Sequence, residues 1–259
     1  MTTKHNWLTD TPIAHRGLFD NACGIPENSV AAFKAAISHG LGIELDVRLS
    51  EDGVPVVIHD ATLERMTGDT TPISALSAQR LKLKMLLNTP NTLPTLAQAL
   101  GAVNGQVPVI LELKTVGSHF NRELEKAVLA QLKTYTGHVA VVSFNPRTVT
   151  YMREHTATDV LVGQNLESTD HPWLFRLCLL KFALFGFKGD FLNVHMRDIA
   201  KKSIRALRDK YTVLTFTVRT AQQREKAIQH ADNHMFDMFD GYPLPDAQTP
   251  KTKSKKKAA

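Results

Sequence analysis

The sequence of 259 residues predicts an α/β protein, a (β/α)₈ TIM barrel with a short hairpin and helical insertion after the second strand. Short apolar segments with strand character alternate with helical segments, and this alternation is typical of a parallel sheet. About eight such strand–helix units fit within roughly 240 residues, which is a usual length for a closed barrel. A doubly wound open sheet is the alternative, but it would have a glycine-rich first turn, whereas Gly17 stands alone.

The predicted barrel begins with a strand at residues 11–17. Asn28 and Ser29 then cap a helix, because the apolar residues that follow them recur with the 3.6-residue period. The second strand is predicted at 43–49, and only five residues separate it from the apolar run 55–59. A parallel crossover needs roughly a dozen residues, so we expect these two segments to form an antiparallel hairpin.

The rest of the chain supplies an insertion and the remaining strand–helix units. Residues 61–92 are predicted to form a polar insertion with a helix at 76–87. Further strands are predicted at 107–114, 139–144, 160–164, 191–195, 213–218 and 235–239. Further helices are predicted at 95–103, 121–135, 145–155, 173–187, 198–210 and 220–230.

Charge and domain organisation limit the classes of function. We expect residues 1–247 to form one barrel domain with its insertion at about 50–92, and residues 248–259 to form a basic disordered tail. The net charge is +6, but five lysines lie in the tail, so the barrel itself carries about +1. The positive charge is therefore no argument for a groove that binds nucleic acid.

Two other features of the sequence bear on its compartment. The chain has two cysteines, which favours neither a disulfide framework nor a thiolate metal site. The first residues contain no apolar segment of a secretory signal, and no apolar stretch reaches the roughly 18 residues of a spanning helix. The sequence therefore predicts a cytoplasmic protein.

The second predicted strand carries two acids, Glu44 and Asp46, two residues apart. Side chains at i and i+2 on a strand point to the same face, so the two carboxylates are expected to converge. Acids on a buried face repel each other and are costly to desolvate unless a positive charge lies between them. Glu112 and Lys114 repeat the spacing at the end of another apolar strand, which favours a functional site at the carboxyl ends of the barrel strands.

Several short motifs occur in one order along most of the chain. They are His15-Arg16-Gly17, Pro26-Glu27-Asn28-Ser29, Glu44-x-Asp46, His59-Asp60, Glu112-x-Lys114, Ser143-Phe144 and Thr215-Phe216-Thr217-Val218. In these motifs the sequence resembles the glycerophosphodiester phosphodiesterase family. This resemblance implies the same TIM barrel and a phosphodiester substrate, and it covers residues 13 to about 218.

The resemblance also implies roles for individual residues. Glu44, Asp46 and Glu112 would hold a divalent cation, and their oxygen ligands suit Mg²⁺ or Ca²⁺. His15 and His59 would be the proton carriers. Residues that would bind the substrate and its phosphate are Arg16, Lys114, Asn28 and Phe216, with Glu27 supporting Arg16. Phe216 stands where the family usually has a tryptophan, and phenylalanine keeps the apolar ring but lacks the indole N–H donor.

The implied reaction is hydrolysis of a glycerophosphodiester to glycerol 3-phosphate and an alcohol. The sequence leaves open which histidine is the acid, which is the base, and whether a cyclic phosphate forms first. Alternatives are phospholipase D-like or lysophospholipase D-like hydrolysis of membrane phospholipids, and a non-catalytic barrel that binds phosphodiesters. A metal-dependent barrel lyase or aldolase is a further alternative, which the order of the motifs disfavours.

Residues 173–187 are unusually apolar, with only Arg176 and Lys181 as charges. They are expected to form a barrel helix, with a homodimer contact as an added use of its surface. A sharper hypothesis is that this helix and the lysine tail touch an anionic membrane, which would place the protein peripherally at its inner face. Six other histidines are assigned to the surface or to helices: His39, His119, His138, His155, His230 and His234. His195, at the end of a predicted strand, is a candidate to line the barrel mouth.

Overall fold

The computed structural model describes residues 6–115, 121–168 and 172–247. The strands are β1 Ile13–Ala14, β2 Gly42–Leu49, β3 Pro55–Val57, β4 Val109–Leu113, β5 Val139–Ser143, β6 Leu161–Leu166, β7 Phe191–His195, β8 Thr212–Val218 and β9 Asn233–Phe236. The α-helices are α1 Asn6–Asp10, α2 Val30–Ser38, α3 Glu64–Thr67, α4 Ala78–Leu81, α5 Leu96–Val103, α6 Glu123–Leu132, α7 Pro146–His155, α8 Pro172–Phe185, α9 Lys202–Arg208 and α10 Ala221–His230.

Eight of these strands form a closed parallel barrel in the order β1-β2-β4-β5-β6-β7-β8-β9. The short strand β1 closes it, since Ile13 pairs with Gly42 of β2 on one side and with Met235 of β9 on the other. The predicted TIM barrel is confirmed. The predicted hairpin is also confirmed, because β3 pairs antiparallel with β2.

Successive side chains of each strand point to opposite faces of the sheet, so alternate residues pack in two different apolar layers. On β4, Val109 and Leu111 belong to the layer between the barrel and the helices. Ile110 belongs to the smaller cluster to which strands all round the barrel contribute, which is the barrel interior. The alternation sends the next inward position, Glu112, to the interior at the carboxyl end of the strand. This end of the barrel is called the mouth below.

The insertion differs from its prediction. The helix expected at 76–87 is wrong, because the chain forms only the single turn of α4 and then leaves the helical path. Leu81 and Leu86 pack in a separate apolar cluster with Val56, while Leu83 is 77% exposed. The leucines do not fall on one helical face, so a continuous helix could not bury them together.

The first and last barrel strands end earlier than predicted. The first strand is shorter than expected, because Arg16 and Gly17 have positive φ angles of 59° and 80° and cannot continue a strand. The last strand ends at Phe236 rather than at 239. The predicted tail 248–259 lies outside the described residues, and the limits of the domain stay a prediction.

Helix α8 packs on the barrel as expected for a barrel helix. Phe175 and Cys178 are buried in the layer between the barrel and the helices. On the same helix, Trp173 is 67% exposed and Leu180 is 56% exposed. None of the helices in the described ranges has the length and apolar character to cross a bilayer.

Candidate active site

Three acids meet at the barrel mouth. Glu44 and Asp46 share the inner face of β2, and Asp46 lies beside Glu112 in the register of β2 and β4. One carboxylate oxygen from each of the three residues lies within 4.8 Å of the others. All three side chains are buried, so their mutual repulsion is screened little by water.

Two cations partly offset this negative charge. Lys114, directly after β4, places Nζ 2.6 Å from Glu112 Oε1 and 3.1 Å from Asp46 Oδ1. Arg16 Nε lies 3.4 Å from Asp46 Oδ2. Burial would raise the pKa of Asp46, but the charges of Lys114 and Arg16 outweigh it and lower the pKa. Asp46 is therefore held as a carboxylate.

Glu44 is the least compensated of the three acids. Its Oε2 accepts the backbone N–H of Arg16 at 3.0 Å, whereas its Oε1 is buried with no hydrogen-bond partner in the described part of the chain. Burial, together with the charges of Asp46 and Glu112, raises the pKa of Glu44 well above its usual range. A hard divalent cation would satisfy this oxygen and relieve the repulsion, so the residues present fit such an ion.

The turn after β1 requires special backbone geometry. At Gly17, with φ of 80°, an added Cβ would lie 2.9 Å from Ala32 at the start of α2. Glycine is thus needed both for the turn and for the close approach of the helix. Asn28, also at positive φ, donates from Nδ2 to Asp46 Oδ2 at 2.8 Å, and its Oδ1 accepts the backbone N–H of Asp46 at 3.2 Å. Asn28 therefore fixes the position of Asp46.

His15 is held at the mouth by an aspartate from the far end of the chain. The Nδ1 atom of His15 lies 2.7 Å from Asp237 Oδ1, just beyond β9. Arg219 in turn donates from Nε to Asp237 Oδ2 at 2.6 Å. This anchoring directs Nε2 of His15 toward the acids, where it lies 3.9 Å from Glu44 Oε2.

His59 is held in the same way on the insertion side. Its Nδ1 lies 2.7 Å from Asp60 Oδ1, and Arg65 donates from Nε to Asp60 Oδ2 at 2.6 Å. Burial lowers the pKa of His59, Asp46 raises it, and the charges of Lys114 and Arg16 lower it, so that it falls below its usual value. Each histidine thus has an aspartate on Nδ1 and an arginine behind that aspartate, which leaves Nε2 for chemistry.

The two sides of the site are joined through Glu27. Arg16 donates from Nη1 to Glu27 Oε1 at 2.8 Å, which is the support expected from the sequence. Arg65 donates from both terminal nitrogens to the two oxygens of Glu27, at 2.8 Å each. Sequence reasoning missed Arg65, although a basic residue shortly after His59-Asp60 in the predicted insertion was a signal that could have drawn attention to it.

Phe216 of β8 lies among aromatic residues rather than among the charges. Its ring meets Phe144 edge-on, with ring centroids 6.0 Å apart, and meets His195 edge-on at 5.5 Å. Burial lowers the pKa of His195, whose Nε2 lies 3.7 Å from Glu167 Oε1. The site therefore has an aromatic group near the ends of β5, β7 and β8 and a charged group at the ends of β1, β2 and β4.

The fold and this site are those of a TIM barrel with an acidic centre at the carboxyl ends of its strands. The model of the glycerophosphoryl diester phosphodiesterase family matches residues 15–231, and the chain belongs to this family. A glycerophosphodiester phosphodiesterase of Caldanaerobacter subterraneus is 31% identical over 207 residues, which are 74% of this chain and 82% of that protein. Human glycerophosphodiester phosphodiesterase 1 is 31% identical over 171 residues, or 62% of this chain.

The chain spans about half the length of the human and bovine relatives, 49% and 45% respectively. Among solved structures, a phosphodiesterase of Oleispira antarctica in complex with the product sn-glycerol 3-phosphate has a TM-score of 0.74 at 24% identity. The match covers 88% of this chain and 92% of that one. A glycerophosphodiester phosphodiesterase of Thermotoga maritima has a TM-score of 0.70 at 24% identity, over 88% and 94%. These two similarities show the fold.

Proposed function

We propose that this protein hydrolyses glycerophosphodiesters to glycerol 3-phosphate and an alcohol in a reaction that depends on a divalent cation. One observation carries the proposal: three buried acids and two aspartate-anchored histidines meet at one barrel mouth. A protein that only bound phosphodiesters would not need two imidazoles with Nε2 left for proton transfer. Membership of the family and the product bound by the Oleispira relative support the same substrate class.

Glu44, Asp46 and Glu112 would hold the cation, Mg²⁺ or Ca²⁺. Their ligand atoms are all oxygen, which suits a hard ion. When bound, the cation would polarise a phosphoryl oxygen and neutralise developing negative charge. Asn28 would keep Asp46 in place through its two hydrogen bonds.

The chain's own residues would bind the phosphate and move the protons. Arg16 and Lys114 would offer positive charge to the phosphodiester, the former as a fork and the latter as a point charge. One of the two histidines would deprotonate the attacking oxygen, and the other would protonate the leaving alkoxide. Phe216 would contact the alcohol part of the substrate through its apolar ring.

The direct test measures glycerol 3-phosphate released from glycerophosphocholine and glycerophosphoethanolamine, with and without Mg²⁺ or Ca²⁺. We expect turnover that chelation abolishes, and a loss of about 10²–10⁴-fold in kcat for His15→Ala and for His59→Ala with folding retained. His155→Ala, at an exposed position, is the matched control and should keep full activity. Turnover that survives chelation would contradict the metal role, and a folded wild type without turnover would favour a binding barrel.

A second candidate is phospholipase D-like or lysophospholipase D-like hydrolysis of lipids at an anionic membrane surface. The exposed Trp173 and Leu180 on α8 favour this candidate, because an interfacial helix places such side chains in the headgroup region. It would place the protein peripherally at the inner face of the membrane, whereas the simpler proposal is a cytoplasmic enzyme. A homodimer stays a prediction.

A further inference from the structure

Arg65 lies on α3, in the insertion, and makes three hydrogen bonds that converge on two acids. Its Nε donates to Asp60 Oδ2 at 2.6 Å, and its Nη1 and Nη2 donate to Glu27 Oε2 and Oε1 at 2.8 Å. These two acids are not metal-site acids. Asp60 holds His59, and Glu27 holds Arg16.

We propose that Arg65 is the positioning residue that couples the proton carrier His59 to the phosphate-binding Arg16. The inference rests on the proposed function and assigns a further residue to it. Arg65 bonds neither His59 nor Arg16, so it acts through Asp60 and Glu27. One guanidinium thereby sets the direction of an imidazole through Asp60 and of a second guanidinium through Glu27.

The chemistry of the arginine side chain explains why this position holds an arginine. A guanidinium is planar and presents several N–H donors in a fixed fork, so Glu27 can be gripped by two bonds while Asp60 takes a third. A lysine has one nitrogen and could not keep both acids in these directions at once. The Arg65→Lys variant therefore keeps the charge but loses the coupling.

A purely structural role for Arg65 would be to fasten the insertion to the barrel. The insertion, however, has its own apolar cluster, which includes Met66 next to Arg65. The Arg65 side chain is 45% exposed, and ion pairs of such exposure contribute little to the stability of a fold. Glu27 by contrast is 6% exposed and lies against Arg16, so the loss of Arg65 is felt mainly inside the site.

Loss of the Arg65 side chain should change both kcat and KM. In Arg65→Ala, Asp60 loses the hydrogen-bond donor that fixes it, so the His59 ring is less well oriented. We expect kcat to fall about 10–100-fold, as when other residues that orient a site residue are removed. Glu27 loses two donors, so Arg16 is less well aimed and KM is expected to rise. Arg65→Lys should recover less than half of the loss in kcat on a logarithmic scale.

The matched control removes a charge from the same insertion without touching the site. Lys84 pairs with Asp69 at 2.7 Å, so Lys84→Ala breaks an insertion ion pair of similar exposure. It should change neither kcat nor KM. The unfolding midpoints of Arg65→Ala and Lys84→Ala should be alike, which separates positioning from stability.

Double-mutant cycles give the sharpest test. In the wild type, Asp60→Ala should lower kcat and Glu27→Gln should raise KM. In the Arg65→Ala background each of these substitutions should have an effect of less than about threefold, because residues that act as a unit are not additive. Fully additive effects, or kinetics of Arg65→Ala that equal those of Lys84→Ala, would overturn the inference.

A binding measurement separates this inference from the proposed function. If the folded wild type lacks turnover, the proposed function has failed, and the same cycle is run on the affinity for glycerol 3-phosphate by calorimetry. A weaker affinity in Arg65→Ala but not in Lys84→Ala would support the positioning of Arg16. Equal affinity in the two variants, or no binding by the wild type, would end it.

Discussion

Asp237 and Asp60 each hold one of the two site histidines, His15 and His59, which come from different parts of the chain. Each aspartate accepts a hydrogen bond from Nδ1 of its histidine. Each also accepts a second hydrogen bond, of 2.6 Å, from the Nε of an arginine. A carboxylate on Nδ1 fixes the tautomer and the ring direction, so the other ring nitrogen is left for proton transfer. Burial would raise the pKa of Asp237, but its hydrogen bond with His15 and the charges of His15 and Arg219 outweigh burial and lower the pKa.

Replacing Asp237 tests this at the level of one residue. In Asp237→Ala, His15 loses its Nδ1 partner and is free to rotate, so kcat for a glycerophosphodiester is expected to fall about 10–100-fold with little change in KM. Steady-state kinetics with folding checked by circular dichroism measure the effect. Asp240→Ala is the matched control, because Asp240 follows on the same segment and is exposed. Equal losses in both variants would show that the segment matters rather than the contact.

The sequence predicted the cluster of acids but not the residue that holds His15. The convergence of Glu44 with Asp46 followed from their spacing on a strand, and their approach to Glu112 followed from the parallel alternation of elements. The partner of His15 could not be predicted in the same way, because Asp237 and His15 are 222 residues apart. Their meeting depends on β1 closing the barrel against β9, a register that no local pattern of the sequence fixes.

At the level of elements, strands were predicted better than the insertion. A barrel strand needs only a short apolar run bounded by turns, and the strands β4, β5 and β7 lie within or at their predicted limits. The insertion packs around Leu81 and Leu86 in a small cluster of its own, with short turns that follow no single period. Its predicted helix was wrong because residues 76–87 are mostly good helix formers without Gly or Pro, and that propensity was overridden by the packing of leucines that do not share a helical face.

His234 on β9 gives a prediction at this scale. The sequence assigned it to the surface or to a helix, which is wrong, because it is buried with Nε2 3.0 Å from the Tyr242 hydroxyl. Burial, and to a lesser degree the charge of Arg224, lower the pKa of His234 from 6.5 to about 4. Below pH 6.5 the unfolded chain therefore binds a proton that the folded chain excludes, and stability falls as the pH drops from about 6.5 toward 4.

The expected loss between pH 7 and pH 5 from this one group is about 2 kcal/mol in the free energy of unfolding. Denaturant unfolding at pH 5, 6 and 7 measures it, and His234→Gln should reduce the pH dependence by that amount. His155→Gln, at an exposed position, should leave the pH dependence as it is in the wild type. If His234→Gln and the wild type lose stability in parallel, the histidine is not the group responsible.

At the scale of the whole molecule, closure of the barrel leaves each of its eight strands paired on both sides, so contacts with other molecules fall to the helices and loops. Helix α8 shows the largest apolar side chain on that outer surface, Trp173. The charge is also uneven along the chain, with five lysines between 251 and 257. Exposed apolar side chains on a helix and a basic segment are two features that favour binding to an anionic membrane surface.

Co-sedimentation with anionic vesicles tests this at low and high salt. The full-length protein is expected to pellet more than a version that ends at Thr249, and the difference should shrink at high salt because the lysines act through screened charge. Trp173→Ala combined with Leu180→Ala should lower the binding that remains at high salt, since burial of apolar side chains does not depend on salt. Ile228→Ala removes a similarly exposed apolar side chain from α10, at 57% exposure, and should have no effect. Negligible and equal pelleting of the full-length and shortened proteins would leave glycerophosphodiesters in solution, rather than lipids in a bilayer, as the substrates to pursue.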